Sequence, residues 1–514
     1  MIWRQFLGLL AVTLLSACSA LHPEGPRVAS YAFEHPEETS LGQSFAGQLG
    51  DAPNLSAFHL LVSGEEAFIV RAATAEAAQK TLDLQYYIVA NDATATLLLY
   101  RALRAAERGV RVRVLVDDQG THDRDDLLAK LDAHPNIEVR AYNPFSGRNL
   151  WMVSRVLEYL GDSARLNRRM HNKLWIADNA VAVMGGRNLG DAYFSANVDG
   201  DFADLDTFVA GPLVRDISRS FDAYWNSASS IPINTFSATP PGAEQLASIQ
   251  TQLKARAESF HDTDYAKSLR SNDFGRSLRA GQLMLVTAPA EILHEEPEKT
   301  PATESEQAIV SALRSTILSA QQEVLLISPY FIPSERGLNG LCSLAGKGVR
   351  VRILTNSLAS TDVPIVHAGY ARYRPRLLVC GVELYELRPG MKTIRRGWSS
   401  GASLHAKAVI VDRRMLIIGS MNLDPRSRNL NTEVAVRIDS PVLGEQLAAL
   451  FGEAVAPDQA FRVELLESGN ARAGLRWSGE EEGKAIHLES EPMASWWRRF
   501  LSSWLGDLAP EELL

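Results

Sequence analysis

Two stretches of this chain set a histidine two residues ahead of a lysine. One is His171-Asn-Lys-Leu-Trp-Ile-Ala-Asp178, running on to Gly185-Gly-Arg-Asn188. The other is His405-Ala-Lys-Ala-Val-Ile-Val-Asp412, running on to Gly419-Ser-Met-Asn422. Both follow one pattern: His-x-Lys, four residues, Asp, six residues, then Gly-Gly/Ser-x-Asn. An imidazole beside an ammonium suits phosphate chemistry: the lysine holds the anion, and the histidine attacks or moves a proton. Alternate apolar residues, Leu174 and Ile176 in one copy and Ala408 and Ile410 in the other, predict strands. Residues i and i+2 of a strand share a face, so His171 projects with Lys173 and His405 with Lys407. The glycine segments predict tight turns that bring backbone N–H groups, Asn188, Ser420 and Asn422 toward the same oxygens. The His-x-Lys-x4-Asp part alone arises once by chance in roughly three chains per hundred of this length. Two copies at matching places do not.

The elements that must carry these stretches also occur twice. In the first half, periodicity predicts a helix over 65–78, a strand over 81–89, a helix over 94–108, a strand over 110–116, a helix over 125–133 and a strand over 137–141. In the second, it predicts a helix over 306–320, a strand over 324–327, a helix over 338–348 and strands over 349–354 and 382–387. Gly109-Val-Arg-Val-Arg-Val-Leu115 matches Gly348-Val-Arg-Val-Arg-Ile-Leu354, Tyr86-Tyr-Ile matches Tyr330-Phe-Ile, and Tyr142-Asn-Pro matches Leu387-Arg-Pro. The fold class is therefore α/β: a duplicated unit of strands and helices forming two facing domains. Residues 46–230 form the first and 301–460 the second. Residues 231–300 are expected as a connecting insertion with a helix near 243–260 and an edge strand near 281–286. Residues 461–514 are expected as a C-terminal tail. Within it Trp496, Trp497, Phe500, Leu501, Trp504 and Leu505 share one helical face, with Arg498 and Arg499 beside it. Such a helix either docks on the body or lies in a membrane interface.

A net charge of -9 and a pI near 5.8 count against a nucleic-acid partner, which selects a basic surface. Three cysteines are too few for a disulfide framework, and Cys342 and Cys380, in apolar surroundings, read as two buried free thiols, with a single bridge between them as the alternative. Residues 1–17 carry Arg4 and the apolar run Phe6 to Leu15, which predicts a secretory signal. Residues 18–45, broken by Pro23, Pro26 and Pro36, read as a tether. His59, His122, His134, His261, His294, His367 and His487 show no metal spacing and read as surface or local polar groups.

The paired motifs resemble those of the phospholipase D superfamily, over nearly the whole chain after residue 45. The resemblance implies two halves meeting at one active site, with no metal and no cofactor. His171 would attack phosphorus and form a phosphohistidine. His405 would protonate the leaving alkoxide, then activate the incoming alcohol or water. Lys173, Lys407, Asn188 and Asn422 would bind the phosphate. An acidic residue would orient each histidine: Asp204, with Asp206 as rival, in the first half and Glu433 in the second. Asp178 and Asp412 would be structural. Gly186 stands where the family usually has Ser, so one hydroxyl contact is missing. Tyr142-Asn-Pro-Phe145, Gly419-Ser-Met-Asn-Leu-Asp-Pro-Arg-Ser and the ending Leu508-Ala-Pro-Glu-Glu-Leu-Leu514 resemble bacterial cardiolipin synthases. That likeness implies phosphatidyl transfer to phosphatidylglycerol from phosphatidylethanolamine or a second phosphatidylglycerol, at a membrane surface. A hydrolase releasing phosphatidic acid, a nuclease and an inactive scaffold are the alternatives. Leu15-Ser-Ala-Cys18 resembles a lipobox, with Cys18 lipidated; Ser19 after it resembles sorting to the outer membrane, facing the periplasm.

Overall fold

A computed structural model of the protein describes residues 27–49, 54–145, 158–159, 161–197, 200–237, 239–279, 282–299, 308–390, 401–467, 469–472, 474–500 and 502. The signal, Cys18, Ser19, Leu501, Trp504 and Leu505 lie outside them. Two large mixed sheets dominate. The nine-stranded sheet runs, edge to edge, Val286–Ala288, Ser56–Leu61, Asp206–Ala210, Val181–Gly185, Leu174–Ala177, Thr81–Tyr86, Arg111–Asp117, Ile137–Tyr142 and Ser230–Pro232. The ten-stranded sheet runs Ala290–His294, Val434–Asp439, Met415–Gly419, Ala408–Val411, Glu323–Ile327, Arg350–Asn356, Glu383–Leu387, Ala460–Leu465, Leu475–Glu481 and Lys484–Leu488. From Ser56–Leu61 to Ser230–Pro232, and from Ala290–His294 to Ala460–Leu465, the two orders correspond strand for strand. In each sheet the strands that parallel one another are the three joined by helical crossovers.

Local chemistry explains the matching letters. Asp92 caps the helix Ala93–Glu107 by accepting the Ala95 N–H at 3.2 Å, and Gly109 ends it in the left-handed region at φ 97°. Gly348 ends its counterpart, Ser334–Gly346, in the same way at φ 87°. The Val-Arg-Val-Arg run that follows each glycine begins the next parallel strand. Asp178-Asn179 and Asp412-Arg413 are consecutive left-handed residues in tight turns between antiparallel strands. The Asp178 carboxylate accepts the N–H groups of Gln79, Lys80 and Thr81 at 2.7–3.1 Å. Asp412 accepts those of Gln321, Gln322 and Glu323 at 2.8–2.9 Å. The motif aspartate thus clamps its hairpin to the start of the neighbouring strand.

Between the sheets lies one hydrophobic cluster drawn from both halves. It joins Leu174, Ile176 and Met184 to Leu325, Ala408 and Ile418, with Phe221 and Phe451 from the helices Leu213–Trp225 and Pro441–Ala454. Separate clusters lie beneath the outer helices of each half.

Several expectations need correction. Residues 27–45 are no free tether. Arg113 and Arg140 donate to the Ser30 and Val28 carbonyls at 2.8 and 2.7 Å, Asp222 accepts the Ala32 N–H at 2.9 Å, and Phe45 is buried on a helix, Ser40–Leu49. The prolines broke the periodic signal, but hydrogen bonds fix the segment. The 231–300 stretch is shared out: the helices Ala243–His261, Asp264–Ser271 and Asp273–Arg279 fold on the first half, its first edge strand begins only at Val286, and Ala290–His294 edges the second sheet. Residues 460–488 are no tail but three strands that extend the second sheet. Cys342 and Cys380 are joined in a disulfide, Cα to Cα 5.3 Å, linking the helix Ser334–Gly346 to the end of Arg374–Val379. Their apolar neighbours suited free thiols, and only the packing of two helices 38 residues apart in sequence brings them together. Among the described residues no helix is long and apolar enough to cross a membrane.

Two outcomes follow. Asp178→Ala leaves the buried Thr81 N–H and the half-buried N–H groups of Gln79 and Lys80 unpaired and should cost about 3 kcal/mol in urea unfolding; a shift no larger than that of a surface alanine would remove the clamp. Alkylation of the unreduced, unfolded protein should spare Cys342 and Cys380, and replacing both with Ala should cost about 4 kcal/mol from loop closure. Labelling of both without reductant would restore the free thiols.

Candidate active site

Each motif histidine enters the site on a backbone bridge to the other half. The His171 N–H donates to Thr432 O at 2.9 Å, and the Thr432 N–H to Arg169 O at 2.8 Å. The N–H groups of His405 and Ala406 both donate to Ala203 O, at 2.8 and 3.0 Å. Asp201–Ala203 and Gly401–Leu404 pair as a parallel two-stranded ribbon. Each histidine therefore lies beside the acid next along the opposite chain segment. His171 Nδ1 meets Glu433 Oε2 at 2.9 Å, and His405 Nδ1 meets Asp204 Oδ2 at 2.6 Å. The carboxylates cross over: each half supplies the acid for the other's histidine. Asp206, the rival, is committed to Arg71 at 2.7 Å and to the Arg187 N–H at 3.1 Å.

His171 and Lys173 sit just ahead of the strand Leu174–Ala177, and His405 and Lys407 just ahead of Ala408–Val411, rather than within the strands. Lys173 Nζ donates to His171 O at 2.5 Å and lies over the Tyr87 ring at 5.5 Å. Lys407 Nζ donates to His405 O and approaches His405 Nδ1 at 2.9 Å. A carboxylate is the stronger acceptor, so His405 Nδ1–H donates to Asp204. Neither Nε2 has a hydrogen-bond partner among the described residues.

The turn residues divide. The Asn188 side chain accepts the Ile88 N–H at 3.1 Å and donates to Tyr193 Oη at 3.0 Å. Ser420 Oγ donates to Glu433 Oε2 at 2.5 Å and accepts the Val434 N–H at 3.0 Å. Both were expected on the phosphate, but both spend these bonds positioning the site's own walls. Asn422 is buried, and its Oδ1 has no partner among the described residues. Gly186 has a steric cause: a Cβ there would stand 2.1 Å from Asp204 Oδ1. The space of a serine is filled by the carboxylate itself.

Residue patterns missed the aromatic walls. The Tyr87 ring meets His171 edge-on at 5.2 Å, while Tyr193 and Phe202 flank His405 at 5.3 and 5.1 Å. Tyr87 was visible only as the middle of the repeated Tyr86-Tyr-Ile. Tyr193 and Phe202 lie where the duplication leaves no matching letters. Arg187, fully buried, bonds the carbonyls of Leu61, Val62, Tyr193 and Asp204 at 2.6–3.0 Å and so frames the first turn.

Burial, joined by Lys173 and Lys407 and opposed by Glu433, brings His171 down to about 4. Burial and Lys407 also lower His405, against Asp204. Burial brings Lys407 down to about 8 and holds Lys173 well below its ordinary value. Burial would raise both carboxyls, but the facing histidines and lysines outweigh it and hold Asp204 and Glu433 below their usual range. The charge of each lysine reaches the histidine of the other half, so the two motifs act on one space. The free site holds neutral imidazoles whose Nδ1–H groups face carboxylates, with Nε2 lone pairs available to a phosphorus and two lysine amines for its oxygens.

Among the described residues one group of side chains is close enough to hold a metal: His367, Glu386 and Glu491, within 4.8 Å of one another. Arg374 already bonds both carboxylates, so a metal there would face a guanidinium. His367 is buried, not a surface group.

A family described as "Cardiolipin synthase, PLD-like domain" matches residues 72–225 and 313–455. Cardiolipin synthase C of Escherichia coli (strain K12) is 40% identical over 459 residues, 87% of this chain and 94% of that one. This chain belongs to the phospholipase D superfamily. It is an enzyme of the cardiolipin synthase-like, phosphatidyltransferase kind. An uncharacterized protein of Helicobacter pylori (strain ATCC 700392 / 26695) is 33% identical over 515 residues, 99% of this chain and all of that one. The fold is shared with phosphatidylserine synthase of Haemophilus influenzae, with a TM-score of 0.52 at 15% identity, covering 80% of this chain and 89% of that one.

In this phospholipase D-type site the crossed pairs predict a specific response. Glu433→Gln removes the carboxylate that raises His171, so the His171 titration should fall below about 4 while His405 stays put. Asp204→Asn should lower His405 and spare His171. Imidazole NMR titration reads both; a response within the same half would undo the crossing.

Proposed function

We propose that this enzyme makes cardiolipin, transferring a phosphatidyl group to phosphatidylglycerol from phosphatidylethanolamine or a second phosphatidylglycerol. One observation carries the reading: two crossed histidine–carboxylate pairs and two lysines converge on one space, in a chain 40% identical to a cardiolipin synthase. His171 Nε2 attacks phosphorus, a P–N bond forms, and the P–O bond to the donor's headgroup breaks. His405 gives its Nε2 proton to the departing alkoxide. His405 then takes the proton of a phosphatidylglycerol hydroxyl, whose oxygen attacks phosphorus, and the P–N bond breaks. One phosphodiester replaces another, so the exchange needs no external energy source. Lys173, Lys407 and Asn422 hold the phosphate.

His405 must be protonated to act first as an acid, yet its lowered pKa keeps it neutral in the free site. Burial and then Lys407 hold His405 down; an anionic phosphodiester beside Lys407 offsets the second of these, so substrate binding favours the acid form. Water as acceptor in place of the alcohol would yield phosphatidic acid, the second reading.

We place the enzyme outside the cytoplasm, lipid-anchored at Cys18, facing the periplasm and sorted to the outer membrane, with a membrane surface as its partner. The Cys342–Cys380 disulfide supports an oxidising compartment. The acidic balance leaves no reason for a nucleic-acid partner.

Purified enzyme incubated with mixed phosphatidylethanolamine and phosphatidylglycerol vesicles should form cardiolipin by lipid mass spectrometry. His171→Ala and His405→Ala should each reduce turnover by about a thousandfold or more. Phosphatidic acid as the only product would make the enzyme a hydrolase, and normal turnover in either variant would end the two-histidine mechanism.

A further inference from the structure

The last described segment turns its apolar side chains away from the body. Residues 496–500 are helical. Met493, Trp496, Trp497 and Phe500 are 58, 73, 54 and 47% exposed. The three rings pack on one another, with centroids 5.5–6.0 Å apart. Lone exposed apolar residues are ordinary; a contiguous aromatic cluster marks an interaction site.

The charged residues of the same segment hold it to the body. Arg498 Nη1 donates to the carbonyls of Leu358, Ala359 and Thr361 at 2.8, 2.9 and 3.1 Å. Arg499 donates to Glu491 O at 2.8 Å. The Glu491 side chain bonds Arg374, which reaches the buried Glu386 at 2.9 Å. The tail does dock, but by its arginine, with the aromatic face outward. A helix docked for stability would bury the other face.

The docking loop adjoins the catalytic cleft. It follows Asn356, whose side chain accepts the Leu404 N–H at 2.8 Å and donates to Leu404 O at 3.0 Å, one residue before His405. Asp362, next along the loop, influences both Lys407 and Tyr193 electrostatically. The aromatic cluster is thus tied to the His405 side of the site through two short hydrogen-bonded links.

We propose that Trp496, Trp497 and Phe500 form an interfacial foot that enters the headgroup layer of a phospholipid bilayer and seats the catalytic cleft on it, with Arg498 as the joint. This rests on the phospholipid substrate proposed above, whose acyl chains keep its phosphate at the bilayer surface. Trp is the side chain that settles at that level, and the exposed Arg499 beside the cluster suits anionic headgroups.

The test uses the full chain carrying Cys18→Ser, which removes any acyl anchor from the comparison. Brominated phosphatidylglycerol vesicles should quench part of its tryptophan fluorescence, and Trp496→Phe with Trp497→Phe should abolish that part. Trp496→Ser, Trp497→Ser and Phe500→Ser together should lower turnover on vesicles by about tenfold or more. Turnover of a monomeric short-chain phosphatidylglycerol should stay within about twofold, which also shows that the variant folds. Unchanged quenching, or unchanged vesicle turnover, would overturn the foot. A triple variant that loses self-association with its quenching intact would assign the face to a second copy and overturn it equally. An enzyme inactive on both lipid forms would sink the substrate reading alone, since quenching still decides the foot.

Discussion

Two buried imidazoles and two buried ammoniums share one cleft, and neither half of the chain supplies its own histidine with a carboxylate. That exchange is the constraint on which the rest depends. A histidine buried without its acid would lack both its tautomer and its orientation. The backbone bridges at Thr432 and Ala203 enforce the exchange by registering each motif against the other half. The shared core between the sheets then holds the two halves in that register. Catalytic geometry and the docking of the halves are one problem with one solution.

The electrostatics follow from the same closure. With both histidines neutral, the lysines and the two carboxylates offset one another. The balance is achieved at low solvation, which is why the lysines and histidines both lie below their ordinary values. Such a site has room for one more negative charge accompanied by one more proton. A phosphodiester brings the first and a general acid needs the second, so the resting site is already arranged for the loaded one.

Much of this was legible in the letters because the unit is written twice. Gly109 and Gly348, the Val-Arg-Val-Arg runs and the two motifs repeat, and repetition separates signal from coincidence. Helices and strands with strong periodicity came out within a few residues of their observed ends. The failures share a different physics. The 27–45 segment is fixed by side chains more than 60 residues away, and the disulfide by the meeting of two helices. The strands after Ala460 belong to the second sheet only by pairing at its edge. Asp204 and Glu433 could be singled out by position, but their exchange is a property of the interface. Ser420 and Asn188 carried the residue types of phosphate ligands, and nothing in the letters says that a carboxylate and a tyrosine reach them first.

Gly186 and Ser420 occupy equivalent turns, yet one makes way for a carboxylate and the other bonds one. The shorter acid, Asp204, leans into the room that the glycine vacates, while the longer Glu433 is steadied by a hydroxyl. These two solutions are not interchangeable piecemeal. A side chain regained at 186 would evict the acid at 204, and a longer acid at 204 would find no hydroxyl waiting. The two positions can change only together, so in this one respect the duplicated halves obey different packing rules.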